Sequence, residues 1–318
     1  MAKAIPMTSS NVLKKQKRMR RIRDNVELYS LILPVLIHIF IFCYIPMYGI
    51  LIAFQNYTPG SPILAFDGSV KWVGLKHFVS FVTSPMFPRL FYNTFHLSFL
   101  NLAFGFLCPI LFALLVNELK DNFFKKFLQT TSYMPSFISS VVVAGMVLSF
   151  LNADGILNQF LALFNVPPKA YNTLPKAFPI FYTVTCIWKS FGWGSILYLS
   201  TISSIDPGLY ESAKIDGANR LQRCWYVTLP HLSNLIIIQL IFSIGGLLGS
   251  NTELILLLYV PATYSTADVI GTYVYRDGLM GGRFSYGTAV GIFTSVINFT
   301  LLYITNKISS KVADYGIW

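Results

Sequence analysis

The sequence predicts an all-α fold, an integral membrane bundle of six transmembrane helices, and three observations carry that expectation. Of the 318 residues, 54% are hydrophobic and 12% charged, against about 25% charged in a soluble globular domain, and the mean hydropathy is +0.58. The apolar residues fall in long uninterrupted runs, so lipid is their solvent. The basic surplus, a net charge of +11, gathers near the N-terminus and in short loops. Orientation in a membrane explains that distribution better than nucleic-acid binding, and no nucleic acid is expected as a partner. A cytosolic enzyme does not fit this composition.

A helix rising 1.5 Å per residue needs about 20 residues to cross about 30 Å of hydrocarbon. Six segments qualify or come close: 29–54, 97–116, 133–151, 178–201, 232–248 and 287–305. Open strands would leave backbone groups unsatisfied in lipid, so the spans are expected to be helices. Pro34 and Pro46 are expected to kink the first. Residues 1–28 are basic and precede it; the apolar run that follows is too long for a signal-peptide core and shows no small-residue cleavage site, so it reads as a retained span. A seventh apolar stretch, 254–260, follows Glu253 and ends at Pro261. It is too short to cross and reads as re-entrant or interfacial.

Charge sets the orientation. With the N-terminus inside, sixteen Lys and Arg fall on the cytoplasmic side, seven on the outer side, and Lys189 lies within a span, which accounts for all 24. The positive-inside rule then places both termini in the cytoplasm. The outer connections (55–96, 152–177 and 249–286) are long and rich in aromatic residues, Pro and Gly, and the inner ones are short. Cys43, Cys108, Cys186 and Cys224 are scattered without a CxxC pair, which gives no sign of a disulfide framework or a zinc site, and no metal is expected.

The inner connection between the fourth and fifth spans is the most readable segment. Asp206 is a good N-cap and Pro207 suits the first helical position. Leu209, Tyr210, Ala213 and Ile215 supply apolar surface, and Gly217 permits a left-handed stop. A second short helix is expected over 218–226, with Pro230 starting the next span. The product is a helix–Gly–helix elbow along the cytoplasmic face. Small residues at Ser212, Ala213, Gly217 and Ala218 would let another protein approach closely, and Glu211 could anchor a cation or free amides. A solvated interfacial loop is the plain alternative.

The ordered pattern here is Glu211-Ser212-Ala213, three residues, Gly217, nine residues, Val227, one residue, then Leu229-Pro230. It resembles the EAA signature of the permease subunits of ABC importers, departing from it at Ser212, where the signature has alanine, and at Val227, where it has isoleucine. Trp72-Val73-Gly74-Leu75-Lys76-His77-Phe78 resembles the segment after the first span of binding-protein-dependent sugar permeases, with His77 where asparagine is commoner. Gly282-Arg283-Phe284-Ser285-Tyr286-Gly287-Thr288-Ala289-Val290 and Tyr315-Gly316-Ile317-Trp318 resemble the polysaccharide/oligosaccharide branch of that family. The likeness runs from about residue 25 onward.

The resemblance implies a type I ABC importer permease fold, with residues 29–318 as a single transmembrane permease domain and a cytoplasmic coupling helix at about 207–218. Glu211, Ser212, Ala213, Asp216 and Gly217 would make or shape the contact with an ATPase. The implied partners are a second permease subunit of a different chain, two cytoplasmic ATPase subunits, an extracellular solute-binding protein, the lipid bilayer of a bacterial plasma membrane and an oligosaccharide substrate. The chain has no phosphate loop of the GxxxxGK form followed by Ser or Thr. It is therefore expected not to be an enzyme and to hold no cofactor, with ATP and Mg on the partner ATPase.

Lys189, flanked by Trp188 and Trp193, lies within the fourth span. An ionisable group at that depth faces a cavity or a partner, or else snorkels. As a path residue it would touch sugar hydroxyls, with tryptophan stacking on sugar faces. Asn251 and Glu253 end the fifth span and read either as path residues or as a plain helix terminus. His38 and His96 lack a second ligand at helical spacing. Gly245/Gly249 and Gly287/Gly291 each form GxxxG, which allows close helix packing within the chain or against a second subunit.

The expected function is the permease half of an ATP-driven oligosaccharide importer. The alternative is an ion-coupled secondary sugar transporter or channel that works without an ATPase, for which midplane acidic residues and internal repeats would be expected and are not evident.

Overall fold

The computed structural model describes residues 25–64, 70–120, 122–249 and 251–312, so most of the basic N-terminal segment and the 315–318 motif lie outside the described residues. Among those described, the regular structure is helical, apart from one isolated antiparallel bridge between Gln55 and Trp72. Lipid imposes this, because a helix satisfies its own backbone groups.

The first span, α1 (Val26–Phe54), is a rod of changing pitch. Val26–Ile39 is α-helical, Phe40–Tyr44 is a π-turn and Ile45–Phe54 is a 3₁₀ helix. The change of pitch falls just before Pro46, which has no N–H and needs room one turn back. Pro34, by contrast, stays inside the regular α-helical part. Every residue from Val26 to Tyr48 is exposed, whereas the 3₁₀ end packs against the last long helix.

After α2 (Lys76–Val82) come α3 (Phe87–Asn117), α4 (Phe123–Tyr133), α5 (Ser140–Leu151), α6 (Ile156–Ala162) and α7 (Phe178–Ser203). Then follow α8 (Pro207–Ile215), α9 (Arg220–Gly245), α10 (Thr252–Leu258) and α11 (Phe284–Val312). Five helices among the described residues are long and apolar enough to cross a bilayer: α1, α3, Ser140–Ala162, α9 and Phe284–Lys311. The sequence leads one to expect six. The other long helix, α7, has 26 residues but carries Thr183, Thr185, Lys189, Ser190 and Ser195. Ten of its residues are buried, so protein rather than lipid surrounds much of its surface and it needs less apolar character.

Two core clusters meet on α7. Phe178, Phe181 and Tyr182 pack with Leu97 of α3, Ala144 of α5 and Leu254, Ile255 and Leu258 of α10. Toward the other end, Tyr198 and Ile202 pack with Ile110, Ala113 and Leu232. The stretch expected to be re-entrant or interfacial is thus α10, a short helix whose apolar side is buried in the protein. A third cluster joins Phe81, Leu90, Ile270, Tyr273, Tyr286 and Val290. Among the paired glycines, Gly245 faces Leu302 of α11 and Gly287 faces the backbone of Gly278, both within the chain, while Gly291 has open space around it.

The third span differs from the continuous helix expected over 133–151. Pro135 sits in a 3₁₀ turn, Met134–Phe137, after which Ile138 and Ser139 are extended. Ser139 then caps α5, its hydroxyl accepting from the Val142 amide at 3.3 Å. Proline cannot donate to the ladder, and the chain restarts with a new cap. The break lies against α7. The Ser132 carbonyl abuts Gly192, the Phe137 ring meets Trp193 edge-on at 5.6 Å, and the Ser136 hydroxyl donates to the Lys189 carbonyl at 3.0 Å.

Beyond the start of α7 lies a buried ion pair. The Asp268 carboxylate is fully enclosed and takes two hydrogen bonds from Arg276, at 2.9 and 3.1 Å, and one from the Thr272 hydroxyl at 2.8 Å. Arg89 stands 3.9 Å away. Hydrogen bonding to Asp268 pushes the Arg276 guanidinium above its already high ordinary pKa, against desolvation, which acts the other way.

Candidate functional site

Two features stand out, an elbow at the end of α7 and a cavity beside its middle. The elbow is built from local signals. The Asp206 carboxylate accepts from the Gly208 amide at 3.0 Å, capping α8 at Pro207. At the other end, the Ala218 N–H donates to the Ala213 carbonyl at 2.9 Å and the Gly217 N–H to the Lys214 carbonyl at 3.1 Å. This is a Schellman stop, and it places Gly217 at φ +80°, which favours glycine. Asn219 and Gln222 then form a reciprocal capping box at 2.9 and 2.8 Å, and α9 begins.

The separate second helix expected over 218–226 is not found. Arg220–Arg223 continues through a π-turn, Cys224–Thr228, into Leu229–Gly245. The widened turn gives the Pro230 ring its room without ending the helix. The second arm of the elbow is therefore one piece with the fifth span, and α8 is pinned to it by a 2.9 Å hydrogen bond between Tyr210 and the buried Thr228. On the other side, only residues 204–206 separate α8 from α7.

The five residues expected to contact an ATPase lie together on this elbow. Glu211 is exposed and has no partner among the described residues. Ser212 donates to the Gly208 carbonyl at 2.9 Å, Ala213 is half-buried, and Asp216 and Gly217 form the exposed stop. Around them stand large apolar side chains in the open: Ile215 is 87% exposed, Leu221 74%, Tyr226 80% and Trp225 65%. Such a patch is apolar surface that lipid or a partner protein can cover.

The cavity, about 670 Å³, lies between α3, α7 and α9. Ser98, Asn101, Cys186, Ser190, Trp193, Gln239, Ser243 and Asn251 give it hydroxyl, amide, thiol and indole groups, and among the described residues no charged side chain lines it. The Ser98 hydroxyl is buried without a hydrogen-bond partner among the described residues. The size is within the usual range for small-molecule sites.

Of the four path residues expected, Trp193 and Asn251 line this cavity. Asn251 also caps α10, accepting from the Leu254 amide at 3.1 Å. Glu253 is exposed in the first turn of α10, where a carboxylate suits the helix dipole, and does not line the cavity. Lys189 stands beside it, donating to the Ser140 hydroxyl at 2.9 Å. Sequence reasoning missed Ser98, Asn101, Gln239 and Ser243. Their signal was polar residues three or four apart inside apolar runs, a spacing that puts them on one helix face.

The family described as binding-protein-dependent transport system inner membrane component matches residues 105–314. The polygalacturonan/rhamnogalacturonan transport system permease protein YteP of Bacillus subtilis is 40% identical over 317 residues, covering 98% of each chain. Protein LplB of the same organism is 37% identical over 301 residues, covering 94% of this chain and 93% of that one. Among solved structures, a bacterial ABC transporter involved in the import of the acidic polysaccharide alginate contains a chain that superposes with a TM-score of 0.84 at 40% identity, over 93% of this chain and 99% of that one. The alginate transporter in complex with an alginate pentasaccharide-bound periplasmic protein gives 0.83 at 40% identity, over 94% and 99%.

Proposed function

The chain belongs to the family of inner-membrane components of binding-protein-dependent transport systems, and from that premise we infer how its parts serve the permease of an ABC sugar importer. It crosses the membrane several times, with α7 as a sixth span, and both termini lie in the cytoplasm, as the Lys and Arg distribution favours. A second permease chain completes the pathway, and the cavity beside α7 is this chain's share of it. The passenger is an oligosaccharide delivered by an external binding protein. Its hydroxyls would meet Ser98, Asn101, Gln239, Ser243 and Asn251, and a sugar face would stack on Trp193.

Work enters through the elbow. Two separate ATPase subunits bind ATP and Mg, and one of them grips α8 and the first turns of α9. The observation that carries this reading is the exposed apolar surface of Ile215, Leu221, Trp225 and Tyr226 around Glu211, which has no partner among the described residues. Because Tyr210 of α8 is hydrogen-bonded to Thr228 within α9, which continues unbroken to Gly245, a push on α8 would tilt the fifth span. α11 follows, since Gly245 packs on Leu302 and the Asn298 side chain accepts from the Leu248 amide at 3.0 Å. Closure of the ATPase pair would then exchange outward- and inward-facing populations. The test is capture of the ATPase from membranes with tagged permease. Glu211→Lys is expected to abolish capture while the permease still inserts, and an intact complex with that variant would refute the assignment.

A further inference from the structure

Lys189 is a cation without a counter-ion at the middle of the bundle. It lies about 16 Å along α7 from its start and about 21 Å from its end, taking 1.5 Å per residue. A lysine side chain reaches neither interface from there, so snorkelling does not account for it. An ammonium has three donors. One of them is used on the Ser140 hydroxyl at 2.9 Å, and among the described residues no carboxylate stands within ion-pair distance of it. Ser140 opens α5, so the nearby helix end offers the positive end of its dipole and no compensating charge. Cations at such depth are costly and normally face a partner or a pathway.

The pathway is adjacent. Cys186 and Trp193 line the cavity, and Lys189 lies three residues after the one and four before the other, on the same row of α7. The cavity lining itself carries no charge. An oligosaccharide there finds partners for its hydroxyls from the lining. For a carboxylate, the one cation within reach along that row of α7 is the Lys189 ammonium, which needs only to rotate off Ser140.

We propose that Lys189 is a specificity-determining residue that pairs with the carboxylate of a uronate-bearing oligosaccharide, so that this half of the pathway takes acidic sugars in preference to neutral ones. The proposal rests on the cavity being the sugar pathway.

The test uses the assembled importer in lipid nanodiscs without its binding protein, so that delivery does not filter the probes. Alkylation of the cavity thiol Cys186 is followed by peptide mass spectrometry in the presence of trigalacturonate or maltotriose. Trigalacturonate is expected to protect at about tenfold lower concentration than the neutral trimer, the worth of one charge-assisted hydrogen bond. Lys189→Met is expected to erase that difference, because its apolar chain suits the depth but carries no charge, and Lys189→Arg is expected to keep it. Equal protection by the two sugars in the unaltered protein overturns the proposal, without needing any variant to assemble. So does a preference that survives in Lys189→Met, or a Lys189→Met importer that dissociates while the unaltered protein shows no preference, which would assign the counter-ion to a partner subunit. If neither sugar protects Cys186, it is the pathway reading itself that fails.

Discussion

Replacing Gly192 with alanine tests whether the third span really breaks against α7. A Cβ at Gly192 would overlap the backbone carbonyl of Ser132 and come within 3.1 Å of the Ser132 Cβ. Because the obstacle is main chain, it cannot turn aside as a flexible side chain would, and the two helices must part by on the order of 1 Å to restore van der Waals distance. Overpacking of this kind costs about 1–3 kcal/mol. Parting also stretches the 3.0 Å bond from Ser136 to the Lys189 carbonyl and the 2.9 Å bond from Lys189 to Ser140, each worth about 1 kcal/mol net. Against this stands the helix preference of alanine over glycine, about 1 kcal/mol. With both bonds counted as lost, the balance is a loss of roughly 2–4 kcal/mol, taken from these terms. The control is Gly291→Ala, where nothing lies within 4 Å of the new methyl, and propensity alone should leave stability unchanged or slightly raised. Thermal scans of the purified importer, read by fluorescence-detected size exclusion, separate the two. If Gly192→Ala melts with Gly291→Ala, the close contact does not exist and the described path of the third span is wrong.

Four further outcomes follow from the same structure. Arg276→Met leaves the enclosed Asp268 carboxylate with the Thr272 hydroxyl and a distant Arg89; breaking such a pair costs about 3–5 kcal/mol, reduced to about 2–3 because Arg276 is a third exposed. A melting-temperature loss no larger than that of a surface Lys→Met variant would contradict the buried knot. The folded-state pKa of Arg276 is raised, so its contribution is complete below the ordinary guanidinium value and is lost only above it. Titrating the importer's melting temperature from about pH 6 to about pH 9 should therefore reveal no step from this pair. Gly217→Ala meets no steric obstacle and strains only the backbone at φ +80°, at a cost of about 1–2 kcal/mol local to the elbow. It should weaken ATPase capture with little change in melting temperature, and Gly217→Asn should do less harm. Ile215→Asp, at a side chain 87% exposed in the isolated chain, should leave the permease folded and abolish ATPase stimulation; full stimulation would remove Ile215 from the docking surface.

What was legible in the sequence divides by the range over which each signal acts. Asp206 and Gly217 act through hydrogen bonds that span at most five residues and Pro207 through its fixed φ, so α8 and its stop were readable from local pattern, whereas the Asn219 capping box and the run of Arg220 into the fifth span were not. The resemblance to a known signature then implied what kind of partner the elbow would meet. The long helices were readable because lipid is a uniform solvent and apolar length reports on it directly. The same reasoning failed where protein replaces lipid. The run over 133–151 looks unbroken by hydropathy, yet Pro135 and Ser139 stop and restart the helix at a depth where α7 supplies Gly192 and Lys189 to cover the gap. Gly192 carried no readable signal, because what matters is the Ser132 backbone opposite it. Arg89 approaches Asp268 from far away in the sequence, a pairing that no local pattern encodes.

The departure at the elbow bears most on mechanism. Two short helices joined to the span by a loop would lose motion at that joint. Arg220–Gly245 instead has no joint, because the π-turn at Cys224–Thr228 absorbs Pro230 without releasing the chain. Both connections of α8 lie outside any helix, 204–206 toward α7 and 216–219 toward α9, but the α9 side is also tied by the hydrogen bond between Tyr210 and Thr228. If a partner displaces α8, the Tyr210–Thr228 hydrogen bond would pass more of that displacement to α9 than to α7, which is held along its length by α3 and by the clasp at Lys189. The cavity lies between α7 and α9. A lever that moves one wall against a fixed opposite wall changes the shape of that cavity, and this asymmetry of attachment is what would let a push at Ile215 and Glu211 reach Gln239 and Ser243 while leaving Trp193 in place.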